Sequence, residues 1–350
     1  PWTLAQREVL GLPSRERLER VLRAGWRQAL QVPQVDVLWR LTDEAGEPVL
    51  ASPLVQQLEF TGQARRAADT REPRELAVQP MTRPQARADT LPVARLSASA
   101  YEDLRTCPYR YFALHQLGLQ EASEIEQDLD KRDFGIWVHE VLRRFHETLR
   151  DDLAAQSLAR AALLDRIAQE AARDLALPES EFLPFEAAWP QVREGYLEAL
   201  AKFEAQNQAR FEQAETDLEA DLGSVRIFGR IDRIDRLPDG RRMVMDYKTG
   251  NPKGILARVK LPLEDTQLAF YAALLGDDDL RAAYVSVGER GESRVVEQPE
   301  VLAARDALVP GLVDDLRRIG EGVPLQALGE GQACEHCAAR GLCRKDFWAS

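Results

Sequence analysis

The alternation of apolar and polar residues is strongest from Arg226 to Gly250, R-I-F-G-R-I-D-R-I-D-R-L-P-D-G-R-R-M-V-M-D-Y-K-T-G. It holds to Leu237, stops at Pro238-Asp239-Gly240, and resumes through Val244, Met245 and Tyr247, which predicts a β-hairpin. Pro-Asp-Gly suits a three-residue loop, a type I turn followed by Gly240 as the left-handed bulge residue. With Leu237 facing Arg241, this loop sets Asp232 directly opposite Asp246, and period two puts Lys248 on the same face as Asp246. Elsewhere the period is mostly helical. Helices are expected over 15–30 (Leu18, Val21, Leu22, Gly25, Trp26, Ala29) and over 52–60. Another is expected from a Ser99-x-x-Glu102 capping box through Tyr101, Leu104 and Arg105, with a break or restart at Pro108. Phe134, Trp137, Val138, Val141, Leu142 and Phe145 form one apolar stripe. Gly135 sits one turn before His139 on the same side of that helix, where it lets another backbone come close. Residues 151–222, rich in Ala, Glu and Gln, read as mostly helical, broken near Pro178 and Pro184 and without visible chemistry. Helices over 265–275 and 299–320 and short strands over 35–39 and 282–287 complete the pattern.

This pattern divides the chain. Residues 1–60 are small for a core of their own, and 61–94 lack apolar periodicity and read as a linker. The second domain opens near Leu96. The chain begins at Pro1 rather than Met, which fits a fragment of something longer. Composition narrows the class: 350 residues, 30% of them charged, can bury a sizeable core. No apolar run approaches the roughly 20 residues of a membrane span. The first residues lack the basic and apolar segments of a signal peptide. Four cysteines without secretion signals point to a reducing, cytoplasmic setting.

A net charge of −12 argues against a nucleic-acid partner until its distribution is considered. Residues 225–260 hold ten Lys/Arg against four Asp, while the acidic residues gather in the helical stretches around 121–222. A basic site on an acidic body attracts phosphate within a Debye length of about 8–10 Å.

Two constellations carry chemistry. In the first, opposed side chains on a sheet have Cβ atoms about 4.5–5.5 Å apart, where like charges repel. Two carboxylates there serve stability poorly unless they are solvated on a surface hairpin. They make sense as a cage for a divalent cation, and Mg²⁺ or Mn²⁺ with hard oxygen donors needs little more. Lys248 beside them could steady charge on a phosphate. His139 could complete the ligand set, although a helix histidine is more often satisfied by a backbone carbonyl. His146 reads as structural. The second constellation is Cys107 with Cys334, Cys337 and Cys343. Its C-x₂-C step has metal-ligand spacing, and four thiolates suit a zinc ion or a four-iron cluster equally. Either would tie the start of the second domain to its end. Gln267 and Tyr271, at i and i+4 after the Asp-x-Lys strand, are candidates for contacts to phosphate or base. Pro108-Tyr109-Arg110-Tyr111-Phe112 is read as core packing in preference to base stacking.

Taken in order, Gly135-x-x-x-His139, Gly229-Arg-Ile-Asp232, Asp246-Tyr-Lys248 and Gln267-x-x-x-Tyr271 resemble the RecB-like branch of the PD-(D/E)XK nucleases. The flanking cysteines look like the iron–sulfur staple of the AddB-type component of helicase–nucleases. The resemblance covers about 95–350, and residues 1–94 look, more loosely, like the tail of a truncated helicase-like domain with its linker. It implies an α/β fold, the restriction-endonuclease-like core with a mixed sheet flanked by helices, together with a helical insertion and a four-cysteine cluster staple. It further implies that His139, Asp232, Asp246 and the carbonyl of Tyr247 bind metal. Asp232, Asp246 and Lys248 would be catalytic, and Gln267, Tyr271 and Arg230 would line a DNA path. The four cysteines would hold a [4Fe–4S] cluster. The implied activity is exonucleolytic cleavage of single-stranded DNA delivered by a helicase partner during double-strand break repair. A nuclease-like module that only binds DNA or docks onto another chain is the competing expectation. No Walker A loop is present, so ATP hydrolysis is not expected of this chain.

Overall fold

A computed structural model describes residues 10–11, 15–43, 47–62, 80–120, 129, 131–152, 159–249, 252–288 and 290–348. The chain separates into two compact units, Pro1–Val78 and Gln79–Ser350.

In the first unit, α1 (Arg15–Ala29) and α2 (Pro53–Phe60) form where expected. Ser52 caps α2 by accepting a hydrogen bond from the Val55 N–H, and Pro53 takes the first helical position, where its missing N–H costs nothing. Residues 35–39 are not a strand. Among the described residues their alternation has no partner strand to pair with, and propensity alone does not make a ladder. Thr42 and Pro48 form an isolated antiparallel bridge.

The second unit is built on a six-stranded mixed sheet. Its strands are β2 (Arg95–Ser97), β3 (Arg210–Leu222), β4 (Val225–Arg236), β5 (Arg242–Lys248), β6 (Leu280–Ser286) and β7 (Arg294–Glu297). A separate pair joins β1 (Gln85–Ala86) to β8 (Leu325–Gln326). The expected linker is therefore shorter than 61–94. Ala88 is buried in the main core, with Leu91 and Val93 packed against it.

The hairpin register is the one the Pro-Asp-Gly loop dictates. Arg233 pairs with Met245 and Arg236 with Arg242, the Leu237 N–H donates to the Arg241 carbonyl, and Gly240 has φ +89°. β4 organises the sheet. β3 pairs antiparallel along its whole length on one edge. On the other edge the partner changes, from parallel β2 at Arg226–Phe228 to antiparallel β5 at Arg233–Arg236. Between these ladders, Gly229 meets a helix instead of a strand. A Cβ there would lie 3.0 Å from Leu274 Cδ1 and 3.7 Å from Tyr271 Cε1.

Period two sorts the β5 side chains into two cores. Val244 joins Tyr271, Leu268 and the helices α3 (Ala98–Thr106), α9 (Gln267–Leu275) and α10 (Val301–Gly320). Met243, Met245 and Tyr247 join α5 (Lys131–Asp151), α6 (Arg160–Asp174) and α7 (Glu179–Asn207). The α5 stripe is buried as its periodicity requires, with Phe134, Phe145 and Trp137 almost inaccessible. Truncating any one of them to Ala costs about 3–5 kcal/mol.

Three local expectations change. The cap of α3 is Ser97, which accepts from the Ala100 N–H, rather than Ser99. Strand β2 runs directly into the helix, so the extended residue at its end is the one placed to cap. α7 continues through Pro184 and Pro190, and only Pro178 precedes it. Residues 210–222 are strand rather than helix. There Thr216, Leu218, Ala220 and Leu222 alternate with Glu215, Asp217, Glu219 and Asp221, and Gly223-Ser224 turns the chain back into β4.

Candidate active site

The candidate site lies where β4 changes partners. Asp232 leaves β4 opposite Asp246 of β5, and both side chains are buried, at 8% and 2% exposure. The Tyr247 main-chain N–H donates to Asp232 Oδ2 at 2.7 Å, locking that carboxylate to the neighbouring strand. From α5, His139 brings Nδ1 to 3.6 Å from Asp232 Oδ2. Gly135 lies beside the end of β5, where a Cβ would sit 3.4 Å from Thr249 Oγ1, so the close neighbour is a side chain rather than the expected backbone.

β3 supplies a residue that the helical reading of 151–222 missed. Glu215 faces Asp232 in register, between the pairs Ala214–Arg233 and Thr216–Ile231. Its φ of +46° is left-handed, unusual for a side chain in mid-strand. Its Oε1 is 3.5 Å from His139 Nδ1. Among the described residues, His139, Glu215 and Asp232 form the set of candidate ligands whose donor atoms all lie within 4.8 Å of one another.

Asp246 lies beside this set and is held from α9. Gln267 Nε2 donates to Asp246 Oδ1 at 2.7 Å and Tyr271 Oη donates to the same oxygen at 3.4 Å. Lys248 Nζ donates to Gln267 Oε1 at 2.8 Å and lies 2.8 Å from Asp246 Oδ2. That second approach is an ion pair without hydrogen-bond geometry, and Asp246 Oδ2 is a buried oxygen accepting no hydrogen bond. Arg230 lies at the rim, half-exposed and paired with Asp217 at 2.9 Å, with Glu215 4.0 Å away.

The electrostatics follow from burial. Burial and then the charge of Asp246 push the Asp232 carboxyl up to about 7. Burial also raises Asp246, against the pull of Lys248. Burial opposes the charging of His139, but the Glu215, Asp232 and Asp246 carboxylates outweigh it and raise its pKa. Two buried carboxylates with a third beside them, offset by the single ammonium of Lys248, are a poor arrangement for a protein alone. With an imidazole in reach, they suit a hard divalent cation, which inverts this local balance.

The basic excess expected of 225–260 is offset by the strand alongside. β3 pairs Glu219 with Arg95 and Arg226, Asp221 with Arg226, Asp217 with Arg230 and Glu212 with Arg236. These ion pairs are largely exposed and each contributes little to stability.

The cysteines come together elsewhere. Cys107 separates α3 from α4 (Pro108–Tyr111), Cys334 closes a short turn, and Cys343 ends α11 (Arg340–Cys343). All four are half-buried free thiols lining one pocket with Tyr109 and Arg110. Burial raises the Cys343 thiol, and its three companions raise it further. Such mutual repulsion is what a bound cation would relieve.

A family model of the PD-(D/E)XK nuclease superfamily matches residues 95–344. The chain belongs to this superfamily. A 160-residue stretch is 32% identical to an ATP-dependent helicase/deoxyribonuclease subunit of Streptococcus mutans. It covers 44% of this chain but only 14% of that protein. Among solved structures, a candidate exonuclease from Eubacterium rectale aligns at 15% identity and TM-score 0.38, over 69% of this chain and 87% of that one. The protein SSO0001 aligns at 16% identity and TM-score 0.29, over 59% and 84%. Membership in the superfamily makes the chain a nuclease-type hydrolase with a mixed sheet flanked by helices. No helix among the described residues is long and apolar enough to cross a membrane.

Proposed function

We propose that this protein is a divalent-metal-dependent exonuclease acting on single-stranded DNA, working with a helicase partner in the repair of double-strand breaks. The observation that carries the reading is the buried Asp232–Asp246 pair, with Asp246 Oδ2 accepting no hydrogen bond and Lys248 Nζ 2.8 Å from it. His139, Asp232, Asp246 and the main-chain carbonyl of Tyr247 would hold Mg²⁺ or Mn²⁺, with Glu215 a further donor. When bound, the cation supplies Lewis-acid polarisation of the phosphate and of water. The protein's own groups do the rest. Lys248, oriented by Gln267, places a positive charge where negative charge builds on the phosphate oxygens. Gln267 and Tyr271 fix Asp246 and stand on the side from which DNA would approach. Arg230 at the rim meets the backbone as a phosphate contact. The four thiolates would carry a [4Fe–4S] cluster, or alternatively zinc, as a tie between the two ends of the domain. The helicase partner is supported by the likeness to a component of a helicase/deoxyribonuclease.

The test is cleavage of end-labelled single strands with Mg²⁺ or Mn²⁺, wild type beside Asp246→Ala. Wild-type cleavage abolished in the variant is expected. Salt-sensitive binding without cleavage under either metal would make the protein a DNA-binding or docking module instead.

A further inference from the structure

Behind the carboxylates, on the opposite face of the same two strands, lies a buried polar group that the chemistry above does not use. Arg233 and Asp235 of β4 are 4% and 0% exposed. The guanidinium grips Asp235 through two hydrogen bonds, Nε to Oδ1 at 2.7 Å and Nη2 to Oδ2 at 2.6 Å. Arg233 Nη1 donates to His146 Nε2 at 2.8 Å and to Tyr196 Oη at 3.3 Å. An arginine can only donate, so the single lone pair of His146 Nε2 accepts, and the Tyr196 hydroxyl lies 2.5 Å from the same nitrogen. The Tyr196 hydroxyl also lies 3.3 Å from the Tyr247 hydroxyl, and either of the two can donate. The chain of contacts thus runs from Asp235 through Arg233, His146 and Tyr196 to Tyr247, and every member is buried.

Stability alone gives this group little reason to exist, since a buried ion pair replaced by apolar groups of similar volume is often neutral or stabilising. Its connections point to another role. Arg233 is the residue next to Asp232, and Tyr247 is the residue between Asp246 and Lys248. The Tyr247 phenol ends in the buried group while its main-chain N–H holds Asp232 Oδ2 at 2.7 Å. His146 lies on α5 two turns beyond His139, so fixing His146 to Arg233 fixes how far α5 stands from β4, and hence where His139 meets Asp232. Tyr196 brings α7 into the same lock.

We propose that Arg233, Asp235, His146, Tyr196 and the Tyr247 phenol are positioning residues that hold the ligands His139 and Asp232 in register from behind the sheet. The proposal rests on the metal-dependent reading of the site, so its test reads metal binding directly as well as cleavage. The probe is Mn²⁺, titrated by calorimetry and by paramagnetic resonance, with kcat and KM measured on a single-stranded oligonucleotide. The double variant Arg233→Met/Asp235→Leu removes the ion pair without leaving a lone buried charge. It is expected to fold and to melt no lower than wild type. It should bind Mn²⁺ about 10–100-fold more weakly, with kcat lowered and KM for DNA unchanged. Tyr247→Phe and Tyr196→Phe each delete one hydroxyl and should weaken Mn²⁺ binding in the same direction by about threefold or more. A folded double variant with wild-type Mn²⁺ affinity and kcat overturns the proposal. So do the two tyrosine variants if both match wild type, whether or not the double variant folds. A wild-type protein that binds no Mn²⁺ overturns the underlying metal reading, which separates that failure from this one.

Discussion

The carboxylate centre and the cysteine pocket are built by opposite means. The first sits on paired strands, where Asp232, Asp246 and Lys248 are set by ladder register and sealed by helices on both faces. The second gathers thiols from a helix junction, a short turn and a four-residue helix, segments with little core of their own. A site on strands keeps its geometry without a ligand. A site on short loops depends for its geometry on whatever ties the loops together. The comparison therefore predicts that chemistry and stability separate: damage to the carboxylates shows in catalysis, and damage to the thiols shows in melting.

The largest effect is expected at Asp246 and Lys248. Lys248→Ala should lower kcat by about 10²–10³, the cost of removing one preorganised charge aimed at the reacting group. Asp246→Ala should cost at least as much. Asp246→Ala should melt near wild type, or higher if anything, because it removes one of two repelling buried carboxylates, whereas Lys248→Ala leaves Asp246 without its ion-pair partner and should melt lower. A melting temperature of Asp246→Ala that falls with activity would mean the carboxylates hold the fold and erase the distinction. Glu215→Gln keeps the shape and removes the charge, and Mn²⁺ titration should show binding weaker by about tenfold. Unchanged affinity would remove Glu215 from the site. Cys343→Ser tests the other half. Breaking a tie that closes so long a loop should cost about 2–4 kcal/mol. The melting temperature should fall, absorbance near 400 nm should be lost if the group is iron–sulfur, and Mn²⁺ affinity should be preserved. Equal melting of variant and wild type would show that the thiols tie nothing.

The smallest effect is a change of slope. Burial, then the charge of Arg233, pushes the His146 pKa well below its ordinary value, so the folded state resists a proton that the unfolded chain accepts. Stability from this group is therefore complete above the unfolded pKa of about 6.5 and declines as pH falls below it. His146→Gln should flatten the rise of melting temperature between about pH 5 and 6.5. Parallel slopes for the two proteins would clear His146 of that role.

How much of this was legible in the chain depends on how local each signal is. The β4–β5 register could be read because Pro238-Asp239-Gly240 leaves it little freedom, and the α5 stripe because Phe134, Trp137 and Phe145 share one period. Glu215 was hidden for a chemical reason. Its strand is written in Glu, Ala, Asp and Gln, residues uncommon in strands, and only the strict alternation from Glu215 to Leu222 speaks for one. Tertiary pairing with β4 decided the matter over propensity. Arg233 and Asp235 could not be told from the solvated charges around them, because burial is decided by α5 and α7, far away in sequence. The four cysteines could be grouped by their spacing but not placed in one pocket, since what brings Cys107 to Cys343 is the closure of the whole domain.

Glu215 carries one more consequence. A non-glycine residue held at φ +46° costs of order 1–3 kcal/mol, which glycine would not incur. With Glu215 as the proposed further metal donor, the most stable sequence and the most active one would differ at this position. Selection for thermal robustness alone should drift toward glycine here and lose a carboxylate on the way. Retention of Glu215 through such a selection would show that its backbone conformation costs the fold nothing.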